Sequence, residues 1–128
     1  MEYQKWLIEI RPEILTKNND SSLIEQFQNI TVRPILKLLN NTIIQFSKTF
    51  ISTLEISFDQ MTTYEIENTL SNLFKKHPTF KVYLTGMVIS YLSKNELNIY
   101  FENQKTINKR IYELLEQRLK SQIPLLSS

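Results

Sequence analysis

The chain has 128 residues and a mass of 15.3 kDa, enough for one domain to bury a core without disulfides or metal. Its apolar fraction of 41% and charged fraction of 22% place it among globular chains, and a net charge of +2 does not by itself imply a nucleic-acid or acidic-membrane partner. The absence of cysteine excludes a disulfide framework, an iron–sulfur cluster and a thiolate zinc site. With one histidine and no dense carboxylate cluster, no metal and no cofactor is expected.

The chain begins MEYQKWLIEIRP. Glu9 and Arg11 interrupt its apolar stretch, so it does not read as a secretory signal. No segment approaches the ~18 uninterrupted apolar residues of a membrane span, and a cytoplasmic location is the expectation. Tyr3, Trp6, Leu7 and Ile10 predict a short helix packed on the rest of the fold and ending before Pro12. Residues 1–16 form this N-terminal segment, 17–21 a polar linker, 22–123 a helical bundle and 124–128 a tail, all within a single domain 1–128.

Within the bundle, helix starts are the clearest signals. Ser22-Leu-Ile-Glu25, Thr62-Thr-Tyr-Glu65 and Ser93-Lys-Asn-Glu96 have capping-box spacing, in which hydroxyl and carboxylate satisfy each other's backbone N–H groups. Met61 with Ile66 and Leu92 with Leu97 add hydrophobic staples to the last two. Apolar residues then recur at helical spacing: Leu23, Phe27 and Ile30; Ile35, Leu39, Ile43, Phe46, Phe50 and Leu54; Ile66, Leu70, Leu73 and Phe74. Phe80, Leu84, Met87, Val88 and Tyr91 continue the pattern, and Ile107, Ile111, Leu114, Leu115 and Leu119 close it.

Pro34 lacks the N–H that would bond Ile30, so the long segment from Ser22 to Leu54 is expected to kink sharply near Arg33. His77-Pro78 ends one helix and starts the next. Residues 54–58 alternate as a strand would, but are expected to be a loop that feeds apolar side chains into the core. Residues 97–101 alternate too, yet follow a capping box and read as helix. The predicted fold is an all-α, compact helical bundle of about five to six helices with a Pro34 kink.

Chemistry is harder to find. A single glycine excludes a phosphate-cradling loop and a dinucleotide fingerprint, and no catalytic residue is assigned. His77 sits among Lys75, Lys76 and Lys81, where a histidine complements a helix C-terminus. Glu65 with Glu67, and Glu113 with Glu116, read as solvated helix faces. Gly86 is expected to permit close approach of a neighbouring helix, with Ser90 extending the small face.

The most suggestive polar set surrounds Pro34. At ~100° per residue, Arg33 and Asn40 fall on one shoulder of the core stripe, with Lys37 just outside it and Asn29 joining if the helix continues through the proline. A guanidinium, an ammonium and amides there could bind a carboxylate or phosphate, with Arg110 a further contributor. The same groups could instead satisfy backbone freed by the proline. Nucleic acid is not expected. The helix after His77-Pro78 is dominated by Phe, Val, Leu, Met and Tyr, whereas a reading helix needs exposed polar and basic groups. In the last helix Glu102, Glu113 and Glu116 dilute the basic residues.

The residues Phe27-Gln-Asn-Ile-Thr-Val-Arg-Pro-Ile-Leu-Lys-Leu38, Gly86-Met-Val-Ile89 and Ile107-Asn-Lys-Arg110 give the chain a resemblance, over most of its length, to short uncharacterised all-helical bacterial proteins. Abundant Asn, Ile and Lys agree with an AT-rich bacterial genome. Such proteins often carry the label "glyoxalase". Glyoxalase I-type enzymes, however, are built from βαβββ units with His and Glu ligands, and this chain has one His and a helical pattern. The resemblance implies a helical fold and transfers no catalytic residue.

Together these features read as an interaction or binding module, with protein partners or self-association as a homodimer. The alternative is a small enzyme or anionic-ligand-binding protein with a site near Arg33, Lys37 and Asn40.

Overall fold

The structure, a computed structural model, describes residues 2–12 and 22–127. The expected polar linker, 17–21, lies outside the described residues. The described part is mainly helical, with no strand. Helix α1 covers Glu2–Glu9, α2 Leu23–Gln26, and a π-helical turn Phe27–Val32. Then come α3 (Arg33–Leu38), α4 (Asn40–Thr53), α5 (Thr63–Lys76), α6 (Pro78–Ile89), α7 (Lys94–Glu102), α8 (Gln104–Lys120) and α9 (Ile123–Leu126). The segments outnumber the expected five to six because single residues interrupt two long runs: Leu39 (φ −90°, ψ 4°) and Asn103 (φ −132°, ψ 30°).

Helix starts follow the local chemistry. At Thr62 and Ser93 both arms of the capping box are made: Thr62 N–H donates to Glu65 Oε1 at 3.1 Å and Ser93 N–H to Glu96 Oε1 at 2.8 Å. At Ser22 the hydroxyl accepts from Glu25 N–H at 3.2 Å. The staple residues Met61 and Leu97 pack on the core, opposite buried Ile66 and Leu92.

Pro34 does not divide the chain into two helices. Val32 and Arg33 keep right-handed helical dihedrals, and Arg33 N–H donates to Gln28 O, five residues back. The irregularity expected at the proline therefore takes the form of a wide π turn just before it. This turn corrects the expected first stripe. With i→i+5 bonding, burial passes from Phe27 to Thr31 and Val32, and Ile30 faces solvent; Leu23 is exposed as well.

Helix α8 is the hub. Its stripe of Ile107, Ile111, Leu114, Leu115 and Leu119 is fully buried or nearly so, against the π turn, α5, α6, α7 and α9. On the other side α4 meets α6, where buried Phe80 has its ring centroid 5.0 Å from Phe50, 5.2 Å from Phe74 and 6.1 Å from Phe46. The loop after α4 delivers buried Phe58 and half-buried Ile56 to this core, as the sequence predicts. The apolar C-terminal stretch folds as α9, with Leu126 buried against the bundle. In α1 it is Leu7 that is buried, while Trp6 is largely exposed.

Gly86 overturns an expectation. It is exposed, and a Cβ built on it would meet nothing within 4 Å, so among the described residues no helix approaches it closely. Among the described residues, no helix is long and apolar enough to cross a membrane.

Candidate functional site

Most of the residues that the sequence singles out around Pro34 lie on the seam where the π turn, α3 and the start of α4 meet α8. At one end Arg110 Nη1 donates to Gln28 Oε1 at 3.2 Å. At the other, Arg118 Nη1 donates to Asn40 Oδ1 at 3.2 Å. Asn40 also exchanges two amide hydrogen bonds with Gln122, each 2.8 Å. Because Gln28 precedes Asn40 as Arg110 precedes Arg118, the two helical runs lie in the same sense along this seam.

Between these ends lies a cavity of about 310 Å³ lined by Arg33, Leu36, Leu114, Gln117, Arg118 and Ser121. Arg33 comes from the first turn of α3, and its Nε donates to Asn29 Oδ1 at 2.9 Å. Arg118 comes from α8, one turn beyond Leu114. Burial pushes the Arg118 guanidinium below its ordinary pKa, and the positive charge of Arg33 pushes it the same way. Among the described residues, no carboxylate lines the cavity. Glu116, on α8, is turned towards α5, where its Oε2 accepts from Ser71 Oγ at 3.2 Å and pairs with Lys120 Nζ at 3.0 Å.

The structure thus brings Arg33 and Asn40 to one seam, with Asn29 holding Arg33. It places Arg110 at the seam's far end, outside the cavity lining, and leaves Lys37 exposed and away from it. Arg118, Gln117, Ser121 and Gln122 carry no local sequence signal, since only the packing of α8 on α3 sets them beside Arg33. Among the described residues, no three His, Cys, Asp or Glu side chains group as metal ligands.

A second feature is apolar. Helix α6 carries apolar residues on both its buried and its exposed sides. Phe80, Leu84 and Val88 face the core, while Val82 and Tyr83 remain 62% and 59% exposed. Tyr83 lies 5.6 Å, centroid to centroid, from half-buried Phe46 of α4. Beside them runs a shallow groove lined by Asn41, Thr42, Gln45, Phe46, Thr49 and Met87, none of them charged.

No family model matches the chain, and neither a curated protein nor a solved structure matches it. What this protein does is therefore read from its own seam and its own apolar face.

Proposed function

We propose that this chain is a single-domain helical interaction module that self-associates as a homodimer through the face formed by α4 and α6. The observation that carries the reading is an exposed, partly apolar surface whose described residues bear no charge. Val82, Tyr83, Gly86 and Met87 of α6 adjoin Phe46 and the uncharged groove residues of α4. The one charged side chain of α6, Lys81, lies with its ammonium 4.9 Å from the ring centroid of Tyr112 on α8. An amphipathic surface helix ordinarily turns one apolar stripe inward and polar residues outward; α6 is apolar on both sides. Interface centres are depleted in charge and enriched in Tyr and Met.

Gly86 supports the same reading. Within a helix it costs roughly 1 kcal/mol relative to Ala, and close packing inside the chain does not return that cost, because the space around it is open. A second α6 crossing there in a two-fold, self-complementary contact would use the space. Sedimentation velocity over a concentration series should show a dimer, and Val82→Lys, altering a residue exposed in the single chain, should give a folded monomer. A wild-type chain that stays monomeric at every concentration overturns the reading.

A further inference from the structure

We propose that the cavity between α3 and α8 is a binding site for a compact dianion, either a phosphate group or a small dicarboxylate, held between Arg33 and Arg118. Two guanidinium groups share one cavity whose described lining holds no carboxylate, an arrangement that folding alone disfavours because like charges repel in partly buried surroundings. A single acidic side chain at either position would relieve that repulsion, and an anionic ligand relieves it equally well.

The two arginines are held in place by neutral groups. Asn29 Oδ1 accepts from Arg33 Nε, and Asn40 Oδ1 accepts from Arg118 Nη1. Asn40 is itself locked by its two-way amide pair with Gln122. These acceptors orient the guanidinium planes and cancel none of their charge. A guanidinium has five N–H donors in a rigid fork matched to the oxygens of phosphate and carboxylate. Gln117 and Ser121 add neutral polar groups at the rim, and Leu36 and Leu114 form an apolar floor. At about 310 Å³ the space suits a small metabolite. Arg110, farther along the same seam, adds positive potential that draws anions towards it.

The test is titration of the full-length chain with inorganic phosphate and, separately, with succinate at low ionic strength, followed by calorimetry and by the arginine Nε–H signals in NMR. One of the two anions should bind saturably and shift the Arg33 and Arg118 signals. Arg33→Gln and Arg118→Gln should each weaken binding by about tenfold or more, the expected scale for losing a charge-assisted contact. Lys75→Gln, on the exposed face of α5, should change nothing. Binding of phosphate alone assigns a phosphorylated ligand, and binding of succinate alone a dicarboxylate. If neither anion shifts the two arginine signals in the wild-type chain, the proposal is overturned without recourse to any variant. It is overturned equally if binding survives both arginine substitutions or falls as far in Lys75→Gln.

Discussion

Arg11 and Glu96, 85 residues apart, form a bidentate pair in which Nη1 donates to Oε2 and Nη2 to Oε1, both at 2.7 Å. Their side chains are only 6% and 15% exposed. Arg11 Nη2 also donates to the carbonyl of Tyr91 at 2.7 Å. Glu96 accepts from the Ser93 N–H that it caps and from Thr31 Oγ1 in the π turn at 3.1 Å. One carboxylate therefore ties together the end of the α1 segment, the start of α7 and the π turn.

Removing one partner of such a pair strands a charge. Glu96→Ala leaves a buried guanidinium whose Nε already has no partner among the described residues, and is expected to cost about 3 kcal/mol. Arg11→Met strands the Glu96 carboxylate instead, but that group is the more exposed of the two and keeps the Ser93 N–H and Thr31 Oγ1 as donors, so the cost should be smaller. Urea denaturation of the two variants gives the comparison. An Arg11→Met loss equal to or larger than that of Glu96→Ala would contradict the account.

The same pair sets an acid sensitivity. Burial pushes the Glu96 carboxyl up, but the hydrogen bonds from Arg11 and from Ser93 N–H, with the charge of Arg11, outweigh it and hold the group below the ordinary glutamate value. The folded carboxylate is thus harder to protonate than the unfolded one. Its stabilising effect is complete above the ordinary pKa of about 4.3 and is lost as pH falls through the lowered folded value. The stability gap between wild type and Glu96→Gln should stay constant from neutrality down to about pH 5 and shrink below that. Urea midpoints measured across this range decide it, and a gap that closes instead as pH rises would be inconsistent.

Glycine is absent at one position where the backbone favours it and present at one where packing within the single chain does not require it. After α4, Glu55 N–H donates to Ser52 O at 3.0 Å and Ile56 N–H to Ile51 O at 3.4 Å, closing a Schellman turn. This puts Glu55 in the left-handed region at φ 59°, where glycine is the usual residue. Glu55→Gly should raise stability by about 1 kcal/mol. Gly86→Ala places a Cβ in open space and should add a similar ~1 kcal/mol to the folded chain, while weakening self-association if α6 packs on its copy there. Thermal melts read the first effect and sedimentation the second.

Ser47 lies in the middle of α4, fully buried, and its hydroxyl has no hydrogen-bond partner among the described residues. A buried orphan hydroxyl costs stability, and Ala is the better helix former. Ser47→Ala should therefore raise the melting temperature, by an amount corresponding to about 1 kcal/mol. A fall in melting temperature would mean that the hydroxyl has a partner in solution.

Much of the fold is legible in short stretches of sequence because its causes are local. The capping boxes at Thr62 and Ser93 join groups three residues apart, and the α8 stripe of Ile107, Ile111, Leu114, Leu115 and Leu119 needs only the helical period. Failures of local reading also have local causes. Ile30 is expected in the core and faces solvent because the π turn before Pro34 changes the period for six residues. Gly86 is expected against a neighbouring helix, yet the space beside it depends on where α4 and α6 come to rest.

The candidate sites divide in the same way. The sequence by itself determined an all-helical chain, its main helix starts, and Arg33 and Asn40 on one shoulder of a core stripe. Only tertiary packing decided that Arg118 would share a cavity with Arg33, that Gln122 would lock Asn40, and that the capping residue Glu96 would also neutralise Arg11. Local bonds and period are written in neighbouring residues, whereas pairings across some 80 positions depend on how each helix is turned against the next.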